Sequence, residues 1–409
     1  MIVERYASGR WLDRPLARAA AGTMLAGTVA ALAYLAATAT GTLDSWGRPL
    51  GTDFSNVWTA GRMALAGHPG DVYDLATHYR AQQVAHGSEA VPFYSWHYPP
   101  TFLLVGAALA MLPYLAALAV WQVSTLVAAL AVIRRCLPDR DTLLVAAGAP
   151  AVLVCLTHGN NGFLTAALFG GGLLLLERRP VLAGILLGLL SYKPHLGLVL
   201  PLVLMAGGYW RAIASAGVTV VILALASALA FGPDTWVAFW TATGLTRTIV
   251  LEAGGPGWHT MVSAFAAIRQ LGGGLTAAYV VQGFVTVGAL AATAWLWRIK
   301  AAFELRAAAA MIAALLVTPY VLDYDMVLLG PAIALLVAYG LREGFSDWEK
   351  TGLAIAWFAP IATRQLALHA HLPVGCLVLM AMLAFAVRRG RDASVVRVGR
   401  PASWIPARP

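Results

Sequence analysis

Roughly a dozen apolar stretches, separated by short polar or basic links, constrain this chain more than any other feature. They lie near residues 18–40, 101–133, 142–157, 162–176, 180–192, 195–208, 212–231, 275–297, 303–319, 325–341, 350–368 and 373–388. With 60% hydrophobic and 11% charged residues, too much apolar surface is present for a soluble domain to hide. Backbone groups in lipid must be satisfied within the protein, which leaves helices or closed barrels. Long Leu/Ala/Val runs, rather than ten-residue alternation, select helices. The expected fold is therefore an all-α integral membrane protein, a bundle of about twelve spans.

The formal charge of +9 is explained by topology. Arg5/Arg10/Arg14/Arg18, Arg134-Arg135, Arg178-Arg179, Arg298/Lys300/Arg306 and Arg388-Arg389/Arg391 fall at alternate ends of successive spans. The positive-inside rule then puts both termini in the cytoplasm and all nine histidines outside. Nucleic acid is not an expected partner; membrane lipids are. Ala/Gly/Arg-rich usage and a one-membrane topology suit a bacterial inner membrane. Three cysteines, Cys136, Cys155 and Cys376, give no disulfide framework or zinc spacing. The first apolar run lacks a cleavage site and reads as a retained span.

One membrane domain, 1–390, accounts for the chain, followed by a basic, Pro-containing tail, 391–409, expected to be disordered. Several spans are short for a ~30 Å hydrocarbon core, and the pair around Lys193 also reads as a re-entrant hairpin. Pro113 should break the long 101–133 stretch. Residues 259–271 suit a short helix lying at the interface. Two outer loops are long, 41–100 and 232–260, and the first is dense in Trp and Tyr, as interfacial belts are. No internal repeat is visible, which weighs against inverted-repeat transporters.

The unusual polar groups gather at one end of the spans, which points to a site at the water–lipid boundary. Asp53, in Gly51-Thr52-Asp53-Phe54, reads either as a helix N-cap or as a general base held partly out of water. Trp96-His97-Tyr98-Pro99-Pro100 is ordinary helix-start punctuation, or His97 and Tyr98 stand at the mouth of a site. Thr157-His158-Gly159-Asn160-Asn161-Gly162 is good turn chemistry, while the paired amides also match sugar hydroxyls. In Ser191-Tyr192-Lys193-Pro194-His195 the lysine either snorkels or meets an anionic head group such as phosphate, with His195 assisting. Asp323-Tyr324-Asp325 lies between tight apolar flanks. Its carboxylates would hold sugar hydroxyls, pair with Lys193 or Arg62, or share a metal ion. No further ligand spacing supports a metal, and no cofactor is expected. His259, after Gly-Pro-Gly-Trp, is a weaker candidate, and His369-Ala370-His371 weaker still.

No Walker-type or Rossmann glycine motif occurs, and no loop holds a nucleotide-sugar domain, since a βαβ unit takes about 30 residues. A group transferred outside the membrane should then come from a lipid-borne donor. Taken in order, the residues resemble glycosyltransferase family 87: Asp53-Phe54 with Ala60-Gly61-Arg62 and Gly67, then Tyr98-Pro99-Pro100 and Asn161-Gly162. Gly184-x-x-x-Gly188 with Lys193-Pro194, and Thr318-Pro319-Tyr320, complete the set, over about residues 45–340. That resemblance implies a GT-C fold, with juxtamembrane helices in a large first periplasmic loop, and a polyprenyl-phosphate-mannose-dependent mannosyltransferase. It also implies a catalytic aspartate in that loop, which Asp53 matches. Two places depart from the family pattern: Gly-Asn-Asn-Gly stands for Gly-Gln-x-Asn, and Asp323-Tyr324-Asp325 for a Trp/His pair.

The resulting expectation is a hexosyltransferase, inverting, that moves mannose or another hexose from polyprenyl phosphate to a periplasmic-face lipid or glycan acceptor. Asp53 serves as base; Lys193, His195 and Arg62 bind the donor phosphate. His97, Tyr98, Asn160, Asn161, His259, Asp323, Tyr324 and Asp325 bind sugar or acceptor. The competing class, a transporter or flippase of a lipid-linked or polar solute, needs ionisable residues at mid-bilayer, and the spans read as bare Leu, Ala, Val and Gly. A non-catalytic scaffold leaves the one-sided polar clustering unexplained. Lipid extracted from the purified protein separates these classes: an enzyme of this kind retains polyprenyl phosphate or its sugar conjugate, and a scaffold does not.

Overall fold

The computed structural model describes residues 2–398, and among them helices dominate and no strand forms. Five helices are long and apolar enough to cross a membrane: Arg14–Thr38, Tyr114–Cys136, Trp210–Phe231, Leu275–Arg298 and the Asp323–Glu343 segment. Others are shorter apolar helices, including Pro100–Ala110, Gly162–Leu175, Pro180–Tyr192 and Pro194–Gly207. The first of the five long helices begins where Asp13 accepts the Leu16 N–H, with Pro15 in its first turn.

Proline and glycine decide where the apolar runs break. The 101–133 stretch divides at Pro113 into Pro100–Ala110 and Tyr114–Cys136, as its sequence predicts. The 142–157 run divides too, into Thr142–Ala147 and Pro150–His158, because Gly148-Ala149-Pro150 interrupts it. The 180–208 region breaks around Lys193 into short helical pieces.

The second outer loop carries a helix, Asp234–Thr246, running into a π-helical turn, Arg247–Glu252. Two expectations are corrected. The 259–271 helix does not lie on a surface: Ala264–Gln270 packs inside, Phe265 is fully buried, and its N–H donates to Gln282. The last helix runs on to Val398, past the expected start of the tail; residues 399–409 lie outside the described residues.

Close helix crossings are set by small residues. A Cβ on Gly61 would sit 2.0 Å from the Gly106 carbonyl oxygen, so Thr52–Leu65 and Pro100–Ala110 touch backbone to backbone. A Cβ on Gly184 would lie 2.2 Å from the Ala212 carbonyl oxygen, and one on Gly188 2.7 Å from that of Ala216. The small-xxx-small spacing of Gly184 and Gly188 thus seats Pro180–Leu189 on Trp210–Phe231, as close packing in lipid requires.

Two predictions follow from this packing. Gly184→Val should destabilise the folded chain by about 2 kcal/mol through overpacking, lowering the thermal midpoint in detergent. Gly217→Val, on the exposed side with nothing within 4 Å, should leave it within error.

The second concerns His86, whose Nδ1 meets the Thr42 hydroxyl and Nε2 the Ser55 hydroxyl, each at 2.8 Å. Burial pushes its imidazole down from 6.5 to about 4. A depressed folded value means the unfolded chain takes the proton first, so this latch stabilises fully above pH 6.5 and is lost as pH falls toward 4. Amide exchange around Thr42 and Ser55 should therefore rise over that window, and His86→Phe should reduce the pH dependence, with the buried His78 and His97 carrying the remainder.

Candidate active site

Asp53 stands in the first turn of Thr52–Leu65, where the helix dipole favours a carboxylate. It does not cap that helix. Gly51 occupies the cap position with φ +67°, and no side chain caps the end. The carboxylate reaches across the chain instead: Asn160 donates from Nδ2 to its Oδ2 at 3.0 Å. Two left-handed glycines permit this. Gly159 has φ +63°, and a Cβ there would sit 2.7 Å from the Phe54 Cβ and 3.0 Å from the Gly51 Cα. Tyr114 donates its hydroxyl to the Leu50 carbonyl at 2.7 Å, and Trp121 its indole N–H to that of Gly159 at 3.3 Å. One helix thus holds both sides of the contact.

The Asn160-Asn161 turn links Asp53 to the second polar group. Tyr192 and Thr165 share a hydroxyl contact at 2.6 Å, and Thr165 donates to the Asn161 carbonyl at 3.2 Å. Lys193 follows directly. Its ammonium donates to Asp325 Oδ1 at 2.6 Å, with both side chains at least 95% buried. Asp325 Oδ2 accepts the Leu322 N–H at 3.1 Å, closing the start of the Asp323–Leu328 turn. That turn rests on Gly162, where a Cβ would lie 3.0 Å from the Tyr324 carbonyl oxygen. The pairing of Lys193 with Asp325, one of the sequence alternatives, is the one observed.

A third group was not read from the sequence. Arg364 donates from Nη2 to Asp323 Oδ1 at 3.0 Å, and its Nε lies 2.5 Å from Oδ2, a close ion pair carried by one hydrogen bond. Its Nη1 lies 3.4 Å from His158 Nε2. His158 donates from Nδ1 to the Val154 carbonyl at 2.7 Å, which leaves Nε2 as the acceptor. Arg364 belongs to Glu349–Ala370, four residues beyond an internal proline, Pro360. Arg364 falls within the 350–368 apolar run, and an arginine inside such a run was the signal that would have found it. His259 stands near this pair: burial and then Arg364 lower its imidazole, while Asp323 pulls the other way.

Aromatic rings wall the space between the carboxylates. Tyr98 packs on Phe102 and Tyr192, and Tyr320 lies between the rings of His97 and His195, at 6.4 and 5.7 Å. Burial and then the Asp53 charge hold the Tyr98 phenol well above its ordinary value, with Tyr320 and Asp325 adding to it. Burial, Asp325 and Asp53 do the same at Tyr320. Both carboxylates thus act on the same phenols. His97 bonds Thr246 Oγ1 at 3.1 Å and Ser95 Oγ at 2.5 Å, and burial pushes it down to about 4, so it is neutral near pH 7. Asn160 Oδ1, both amide atoms of Asn161, Ser191 Oγ and His195 Nε2 are buried with no protein partner among the described residues.

The structure therefore joins Asp53, Asn160, Asn161, Tyr98, His97, Lys193, His195, Tyr324 and Asp325 around one polar end, with Asp323 and His259 beside them. Arg62 does not join them. It lies nine residues along the helix from Asp53, about 13 Å on, exposed and stacked on Trp58.

No curated protein and no solved structure matches the chain. The sequence model of glycosyltransferase family 87 matches residues 96–319, more than half of the 409. This is narrower than the 45–340 over which the motifs resemble the family, and leaves Asp53 and Asp323–Asp325 outside the matched segment. With a match of that length, the chain belongs to glycosyltransferase family 87, a family of membrane glycosyltransferases.

Proposed function

We propose that this glycosyltransferase moves a hexose, mannose first among candidates, from polyprenyl phosphate to a lipid or glycan acceptor on the periplasmic face of a bacterial inner membrane. The observation that carries this reading is the placement of Asp53: a half-buried carboxylate, fixed through one oxygen by Asn160, at the polar end that also holds the Lys193–Asp325 pair. A lipid-borne donor is supported by the all-helical architecture, which contains no βαβ unit among the described residues. The full GT-C arrangement of about twelve spans belongs to the same reading.

In the proposed reaction Asp53 Oδ1 takes the proton from an acceptor hydroxyl while that oxygen attacks the anomeric carbon from the face opposite the phosphate. The carbon–oxygen bond to phosphate breaks, its electron pair leaves on the phosphate, and the configuration inverts. General-base help of this kind is worth about 10²–10⁴-fold. Lys193, with His195, faces the departing phosphate, and a preorganised cation there stabilises the charge as it develops. Asp325 holds that ammonium in place and removes much of its net charge, so its stabilisation of the phosphate rests on the N–H donors that Asp325 does not use. The unpartnered atoms of Asn160 and Asn161, with Tyr98, His97, His259 and Tyr324, orient sugar and acceptor hydroxyls. Arg62, away from this group, has no step assigned.

Transfer of labelled mannose from synthetic polyprenyl-phosphate mannose to membrane extract tests the assignment. Asp53→Asn should cut transfer by at least 10²-fold with an unchanged thermal midpoint; substantial residual transfer sinks the base. No product from mannose, glucose or arabinose donors would redirect the reading to transport.

Lys193→Met, by stranding a buried Asp325 carboxylate, should cost about 3–5 kcal/mol of stability. Lys193→Met/Asp325→Asn should regain most of that stability while transfer stays low. Recovery of transfer in the double variant would confine the lysine to a structural role.

A further inference from the structure

At the end of the bundle away from Asp53 a cavity opens. Tyr114–Cys136 begins beside Gly51 and ends beside the Arg14–Asp139 contact, about 35 Å away by helical rise. There a cavity of about 820 Å³ runs inward between Arg14–Thr38, Tyr114–Cys136, Leu329–Glu343 and Glu349–Ala370. Its walls are apolar, Leu126, Ile133, Phe163, Val327, Ile333 and Ala334 among them. The size falls within the range of small-molecule sites. None of Asp53, Asn160, Lys193 or Asp325 lines it.

Charge is confined to its mouth, where Arg10, Arg14, Arg18 and Lys350 meet Asp13, Asp139 and Asp141. The carboxylates are already engaged. Asp139 takes Arg14 at 2.9 Å, Asp141 takes Arg18 at 2.8 Å, and Asp13 caps the helix at the Leu16 N–H. Arg10 is exposed and has no carboxylate partner among the described residues; Lys350 has only the Phe345 ring, at 5.3 Å. These two cations are neighbours, because the Lys350 stem lies against Gly9. The segment that carries Arg10 is pinned: Trp11 donates to Thr351 Oγ1 at 2.8 Å, and Thr351 to the Tyr6 carbonyl at 2.7 Å.

We infer that this cavity holds an anionic glycerophospholipid, with an acyl chain between the helices and its phosphate on Arg10 and Lys350. An apolar slot with a surplus of fixed positive charge at its mouth matches one ligand chemistry, an anion with a hydrocarbon tail. Basic pockets between helices at a membrane surface bind such head groups. At its inner end the slot is lined by Met326 and Val327, which follow Asp325 in the chain, so the acyl chain underlies the turn that holds Lys193. The inference is independent of the transfer reaction.

The test uses the full-length chain, delipidated in detergent and offered equal phosphatidylglycerol and phosphatidylcholine of the same acyl composition, with retained lipid read by native mass spectrometry. Phosphatidylglycerol should be retained in preference. At about fivefold per cation, Arg10→Gln/Lys350→Gln should reduce that preference about 25-fold, and Ala334→Trp should remove retention of either lipid. Equal retention of the two lipids by the unaltered chain overturns the inference, as does a preference that survives the double substitution. Displacement of polyprenyl phosphate by Ala334→Trp overturns it as well, by giving the slot to the donor chain. Both charge substitutions lie at the accessible mouth, so the thermal midpoint should not move.

Discussion

A buried ammonium and a buried carboxylate each lose several kcal/mol of hydration, and only close contact and further hydrogen bonds return it. The Lys193–Asp325 pair meets that condition, at 2.6 Å with Asp325 also accepting a backbone N–H. Its demands shape the neighbourhood. Lys193 needs the helix broken at Pro194, so that the side chain meets a turn from over a hundred residues away. Asp325 needs the Asp323–Leu328 turn to tighten, and Gly162 lets that turn rest directly on the next helix. Beyond the pair, Tyr192 and Thr165 carry the same rigidity to Asn161, and Asn160 delivers it to Asp53.

Position, rather than any single group, gives this end of the molecule its chemical potential. A lone half-buried aspartate is a weak functional sign. An aspartate fixed through one oxygen, facing phenols that also feel a second buried carboxylate, is a stronger one. Arg364 and Asp323 add a second ion pair beside it. Two ion pairs side by side keep net charge low while leaving strong local fields.

The two ends of the bundle differ in kind. At one, buried ion pairs stand among polar side chains, several of which keep atoms without a protein partner. At the other, paired arginines and aspartates are part-exposed, and apolar walls lie behind them. The distance between the ends is fixed by helix length, and the crossings that hold the helices together depend on glycine: Gly61 on Gly106, and Gly184 and Gly188 on Trp210–Phe231. The same residues serve packing and placement, because a helix that cannot approach closely cannot bring its end group to the site.

The sequence by itself determined the solvent of this protein and the side on which its polar groups gather. Apolar run length, arginine spacing and proline position are local quantities, and hydration energy acts on each residue wherever it sits. Asp53, Asn160, Lys193 and Asp325 were legible as unusual residues for the same reason. Tertiary structure decided their partners: Asp53 with Asn160, Lys193 with Asp325, and Asp323 with Arg364, which the sequence reading had left inside a span. It also turned the 259–271 segment inward and left Arg62 outside, since both outcomes depend on which face a helix presents to its neighbours. Pairing across more than a hundred residues is set by helix crossings a few ångströms close, and no local pattern encodes that distance.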